Sequence, residues 1–329
     1  MLLASCAAGC CHANAATPAA GGAAAPRHVA DYARVFLVCD APPMNTRLAI
    51  RSMALKGERT LLLVDPETLK TYLEPAKSWR CADDSDESES ATRFLRAIDT
   101  PPPAPKPGAI SKPYLRNAGV THGAGDGSFI TGDLCPSRKP LDRPFIEALE
   151  KVGPGTPISL SISGLWLKHH ADDFQWLQEQ ARAGGVDITW VNHSFSHPYF
   201  PGRPFEENFL LAPGVDMEAE ILDTEKALID SGGTPSVFFR FPGLISNPAL
   251  MDILRRDHLI ALGADGWLVF APPLRPGAIV LVHPNGNEPQ GLRIFAKMMA
   301  SDRLPRPFRA IDDAPGGAKP PLDPPSAIR

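Results

Sequence analysis

From Gly119 onward the chain alternates short apolar runs with amphipathic stretches, and this alternation restricts the fold more than any other feature. Strands are predicted at residues 128–131, 157–163, 186–191, 236–239, 259–263 and 278–282, and helices at 142–152, 172–182, 216–229 and 292–300. Asp216 reads as an N-cap, with Glu218 and Glu220 in the first turn and Gly232 just past the end. Asn247 and Pro248 open a further helix as an N-cap and first-turn pair. Such strand–helix repetition builds βαβ units and a parallel sheet, either closed into a barrel or doubly wound. One pattern favours a barrel. Asp133, His193, Arg240, Asp265 and His283 each lie just beyond the C-terminal end of a different predicted strand. In βα barrels that rim is where catalytic side chains converge.

The rest of the 329 residues divides by composition. Residues 1–26 read as a leader, 27–113 as a small N-terminal α/β module with a proline-dense linker, 114–312 as the barrel and 313–329 as a disordered tail. In the module, strands are expected at 35–40 and 60–65 with a helix at 47–56 between them. The net charge of −4 gives no reason to expect a nucleic-acid partner. No apolar run approaches the roughly 18 residues that cross a bilayer. Two export signals compete in the leader. Leu3-Ala4-Ser5-Cys6 is lipobox-like and would anchor a lipid on Cys6, whereas Ala13-Asn14-Ala15 is a small-residue cleavage site. Either predicts the periplasm or cell envelope. A Cys39–Cys81 disulfide is open to the chain in an oxidising compartment, which would leave Cys135 free and without a C-x-x-C partner.

The residues with the most chemistry follow the strand at 186–191. His193 and His197 stand four apart in Asn192-His193-Ser194-Phe195-Ser196-His197-Pro198. A short helical turn there would put both imidazoles on one face. Two imidazoles so placed can hold a borderline divalent ion such as zinc, with a carboxylate from elsewhere completing the set.

With these residues in order, the chain resembles the NodB-homology polysaccharide deacetylases, carbohydrate esterase family 4. Five segments occur in that family's order between about residues 127 and 300. Thr131-Gly132-Asp133-Leu134-Cys135-Pro136-Ser137 stands where the family has T-F-D-D-G-P, and 192–198 is similar to N-H-T-x-x-H-P. Phe239-Arg240-Phe241-Pro242-Gly243 resembles F-R-x-P, Asp265-Gly266-Trp267 resembles D-x-W, and Leu281-Val282-His283 resembles the final L-x-H. The resemblance implies a deformed (β/α) barrel with a divalent metal at its rim, zinc by preference and cobalt or nickel otherwise. His193 and His197 would be ligands and the bound water the nucleophile toward an N- or O-acetyl group of a polysaccharide. His283 would be the general acid, held protonated by Asp265, and Arg240 would orient the catalytic Asp133. Trp267 and Leu281 would wall the acetyl methyl.

One departure matters. The family's first motif carries two adjacent aspartates, a base and a metal ligand, and by register Leu134 replaces the ligand. The site is then two-histidine with extra waters, or rebuilt, or Asp133 itself turns to the metal and leaves the base unfilled. A catalytically silent barrel that binds glycan or an envelope partner is the rival expectation.

Overall fold

A computed structural model describes residues 28–43, 45–83, 92–100 and 112–316. The expected leader with Cys6, most of the proline-dense linker and residues 317–329 of the expected tail lie outside the described residues. Residues 313–316 belong to the folded part: Ala314 is buried and the Pro315 carbonyl accepts from the Arg93 guanidinium.

The chain opens with strands β1 (Val29–Ala41), β2 (Asn45–Leu55), β3 (Glu58–Val64), β4 (Thr71–Pro75) and β5 (Arg80–Asp83), followed by the short helix α1 (Arg93–Ile98). They form an antiparallel sheet in the order β4-β3-β2-β1-β5. The helix expected at 47–56 is therefore β2. Both faces of this strand are covered: Leu48 and Ile50 pack toward the barrel, and Ala49 packs with Cys39, Leu61 and Leu63 on the other side. A run apolar on both faces has no period of two, and a register shift between Ala49 and Arg51 removes what alternation is left. Cys39 and Cys81 lie opposite each other on β1 and β5 and are joined as a disulfide. Closing a loop of 42 residues removes about 4 kcal/mol of chain entropy from the unfolded state.

The remaining strands are β6 (Leu115–Arg116), β7 (Ser128–Leu134), β8 (Thr156–Ile162), β9 (Val186–Asn192), β10 (Pro235–Phe239), β11 (Ile245–Ser246), β12 (Ile260–Ala261), β13 (Gly266–Trp267) and β14 (Ala278–Val282). Between them run α2 (Arg143–Glu150), α3 (Gly164–His169), α4 (Ala171–Arg182), α5 (Met217–Asp230) and α6 (Pro248–Arg256), and α7 (Pro289–Ala300) follows the last strand. Asp216 caps α5 through its side chain and Asn247 caps α6, as their positions predict. Seven strands form a parallel sheet in the order β12-β10-β9-β8-β7-β14-β13. Its two edge strands are joined by residues 262–265 alone, so the sheet curls back on itself. Val120 bridges to Leu262 and His122 to Ala278, stitching the gap. The result is a deformed (β/α) barrel.

The N-terminal sheet packs directly on this barrel. Leu48, Ile50, Leu62 and Val64 share one core cluster with Ile229, Val237, Phe238 and Ile260. Where the two layers meet, the fully buried Arg51 forms a bidentate pair with Glu225 of α5 at 2.7 and 3.0 Å.

Candidate metal centre

Strand alternation decides which side chains reach the barrel mouth. Along β7, Phe129, Thr131 and Asp133 face inward, while Ile130 and Leu134 join the outer core beneath α2. Leu134 is fully buried there. Cys135, one residue beyond the strand, keeps the direction of Asp133 and lines the same cavity. On β14 the inward set is Ile279 and Leu281, continued by His283.

The histidine loop is not the helical turn that the spacing predicts. Ser194 and His197 take left-handed backbone, with φ of 63° and 45°. Asn192 Oδ1 accepts from the Ser194 amide, Ser194 Oγ accepts from the His197 amide, and Glu220 accepts from the Ser196 amide. This local network curls the loop and brings the His193 and His197 rings to 4.8 Å between centroids.

His193 is buried, and its Nδ1 lies 2.7 Å from the Arg240 carbonyl oxygen. A carbonyl only accepts, so Nδ1 carries the proton and Nε2 is left to face the site. Opposite Nε2 stand Cys135 Sγ and Asp133 Oδ2, each at 3.6 Å. Ligand atoms of Cys135, His193 and His197 all lie within 4.8 Å of one another. The cation implied by the resemblance therefore has a matching donor set. Zinc–sulfur and zinc–nitrogen bonds of about 2.3 and 2.0–2.1 Å at a tetrahedral angle put sulfur and nitrogen about 3.6 Å apart. Sequence reading missed Cys135. Its signal was its place two residues after Asp133 on an alternating strand.

Arg240 is fully buried and donates from Nη1 to Asp133 Oδ1 and to Thr131 Oγ1, both at 2.8 Å. Burial alone would raise the Asp133 carboxyl, but the charges of Arg240, His193 and His283 hold it at about 2. Burial would also raise the Cys135 thiol; the charge of His197 and hydrogen bonds from His193, His197 and His283 bring it well below its ordinary value. His193 is likewise raised against burial by the Asp133 charge and by Cys135.

Across the cavity, His283 does not pair with Asp265. Asp265 faces His122, with Oδ2 at 2.7 Å from Nδ1, and its other oxygen accepts from the Ile279 amide. Glu288 takes the expected place: its Oε2 lies 3.1 Å from His283 Nδ1 and 2.9 Å from Trp267 Nε1. Burial works against a charged His283, but the hydrogen bonds it donates to Cys135 and Glu288 raise it to about 10. Glu288 carries no motif, standing five residues on, past a Pro-Asn-Gly turn and directly before α7. Asp265 misleads because β13 and β14 are neighbours, yet its side chain turns back toward the barrel seam.

Asp133, Cys135, His193, His197 and His283 open on one cavity of about 670 Å³. Trp267 and Leu281 are register partners on β13 and β14 and form one wall. Tyr199 and Phe205 flank Phe209, all three line the same cavity, and Tyr199 is 58% exposed. Trp166, by contrast, is core, stacked on His170, and lines no groove.

No family model matches the sequence. The chain is similar to the solved structure of a family 4 carbohydrate esterase from Bacillus anthracis, at 16% identity over 59% of this chain and 85% of that one, with a TM-score of 0.43. It is also similar to a family 4 carbohydrate esterase from Streptomyces lividans solved with acetate, at 19% identity over 59% and 98% and a TM-score of 0.40. A family 4 pseudoenzyme from Bacillus anthracis matches at 16% identity over 56% and 63%, with a TM-score of 0.35.

Proposed function

We propose that the protein is a metal-dependent hydrolase that removes N- or O-linked acetyl groups from a polysaccharide. The supporting observation is the convergence of Cys135, His193 and His197 with Asp133 and His283 in a single open cavity. A divalent cation held by the two histidines, zinc in preference to cobalt or nickel, supplies a Lewis acid for the acetyl carbonyl. Asp133 is fixed by Arg240 and stays anionic at any physiological pH. A carboxylate held this low accepts a hydrogen bond readily and a full proton poorly, so it orients the attacking water. His283, charged beside Glu288, delivers the proton that the departing amine or alkoxide takes up. Trp267 and Leu281 exclude water around the acetyl methyl, and the Tyr199–Phe205 side offers rings for a sugar face. The Cys39–Cys81 disulfide supports an oxidising compartment, hence export, with Cys6 as the position for a lipid.

The test is acetate release. Protein supplied with zinc should deacetylate members of a panel of acetylated glycans and generic acetyl esters, and chelator should abolish the release. A second reading, a silent glycan-binding barrel, holds if the second acidic ligand of the resemblance is indispensable, because the buried Leu134 stands in its place. Glycan affinity indifferent to chelator, with no acetate released, would establish that reading instead.

The roles of Glu288 and Asp265 separate in the same assay. Glu288→Gln removes the charge that supports His283 and should lower kcat about 10–100-fold, the usual range for a group acting through a site residue. Asp265→Asn, which alters the His122 contact and retains an oxygen for the Ile279 amide, should stay within about threefold of wild type. Equal losses in both variants would reject Glu288 as the partner of His283.

A further inference from the structure

We propose that Cys135 binds the cation as a thiolate, that Asp133 stays off it, and that the site is therefore selective for thiophilic cations. This rests on the proposed cation site and concerns its ligand set. Three observations on separate elements support it. Cys135 Sγ and His193 Nε2 face each other at 3.6 Å, and the Nδ1 proton of His193 is committed to the Arg240 carbonyl. Two lone-pair atoms held face to face need a shared proton or cation between them. The backbone that carries the sulfur is also fixed, because buried Asn285 donates from Nδ2 to the Cys135 carbonyl at 2.9 Å.

The third observation concerns Asp133. Its Oδ1 already accepts from the buried Arg240 at 2.8 Å, which leaves only Oδ2 to face His193 Nε2, and the cluster of mutually close ligand atoms is made by Cys135, His193 and His197. Cys135, His193 and His197 supply three ligands by themselves, and a three-ligand set leaves one tetrahedral position open for substrate or water. Two imidazoles and a thiolate suit zinc and cobalt and refuse magnesium and calcium, which require oxygen ligands.

Cobalt reports sulfur ligation directly, so the experiment is a Co²⁺ titration of the full chain with bound metal counted by equilibrium dialysis. The expected result is one cobalt bound with a thiolate-to-cobalt charge-transfer band in the near ultraviolet. That band should be lost in Cys135→Ser and kept in Asp133→Asn. Cobalt bound without the band would overturn the inference and leave the cation reading standing. A band that survives in Cys135→Ser would belong to Cys6, Cys10 or Cys11 and would also overturn it. No bound cobalt or zinc at all would overturn both. Should Cys135→Ser fail to fold, alkylation of the wild-type Cys135 peptide decides the matter. Zinc should slow its reaction with iodoacetamide at least tenfold relative to chelator, and equal rates would reject thiolate ligation.

Discussion

His193→Ala will purify without a cation and release acetate at least about 10³-fold more slowly than wild type, because a metal's electrostatic contribution is worth several kcal/mol and each 1.36 kcal/mol is tenfold in rate. Elemental analysis and acetate assay on the same preparation check both halves. The size of the effect follows from what His193 touches. It stands 3.6 Å from both Cys135 Sγ and Asp133 Oδ2, and its ring is held by the Arg240 carbonyl with Nε2 toward the site. His197 sits on a half-buried loop and cannot by itself replace a buried, oriented donor. The mutation also takes from the buried Asp133 one of its positive neighbours. Folding must therefore be monitored alongside, and a variant with wild-type thermal midpoint and no zinc is the informative one. A folded His193→Ala protein that keeps stoichiometric zinc at the site, or keeps wild-type acetate release, would remove the basis for a metal-dependent reading.

The same geometry explains why Leu134 is not the obstacle that a one-to-one motif comparison suggests. Leu134 points into the outer core with Ile130, Ile146 and Leu149, away from the cavity. An aspartate there would be buried among aliphatic side chains without a partner, which costs stability and adds no ligand. The position able to supply a donor is 135, because Asp133 and Cys135 share a direction and residue 134 does not.

The succession of strands and helices was legible in the sequence, and with it the barrel and the placing of Asp133, His193, Arg240 and His283 at strand ends. These features follow from local pattern: a short apolar run bounded by turn formers, a helix cap, a polar residue after an apolar run. What escaped was decided by contacts between distant segments. β2 lost its alternation because two layers cover it from opposite sides. Glu288 stands where Asp265 was expected because His122, more than a hundred residues upstream, closes the barrel seam and takes Asp265. The curled His193–His197 loop depends on Glu220 from α5. Cys135 differs, since its parity was present in the sequence but was read as a leftover thiol.

Arg51→Met will lower the unfolding free energy by about 3–5 kcal/mol, the range for removing one member of a buried ion pair. Arg51 and Glu225 are 0% and 1% exposed, so the carboxylate left behind cannot recover its solvation. Its remaining described donor is the Tyr32 hydroxyl at 2.8 Å. Arg51 also donates from Nη1 to the carbonyls of Ile50 and Asp257, and those acceptors lose a partner as well. Urea denaturation at neutral pH measures the change, provided the transition is two-state in both proteins. The double variant Arg51→Met/Glu225→Leu should recover most of the loss, because the penalty comes from an uncompensated buried charge and replacing both members with apolar groups is often close to neutral. A single variant within about 1 kcal/mol of wild type would mean that water reaches Glu225 and that the pair is not sealed. A sealed pair has a consequence for the architecture. β2 belongs to the N-terminal sheet and α5 to the barrel, so the layer beneath the barrel wall could not be removed without exposing Ile229, Val237 and Phe238 and stranding Glu225. The sheet would then be part of the barrel's own folding unit, and a chain cut before β7 should fail to fold.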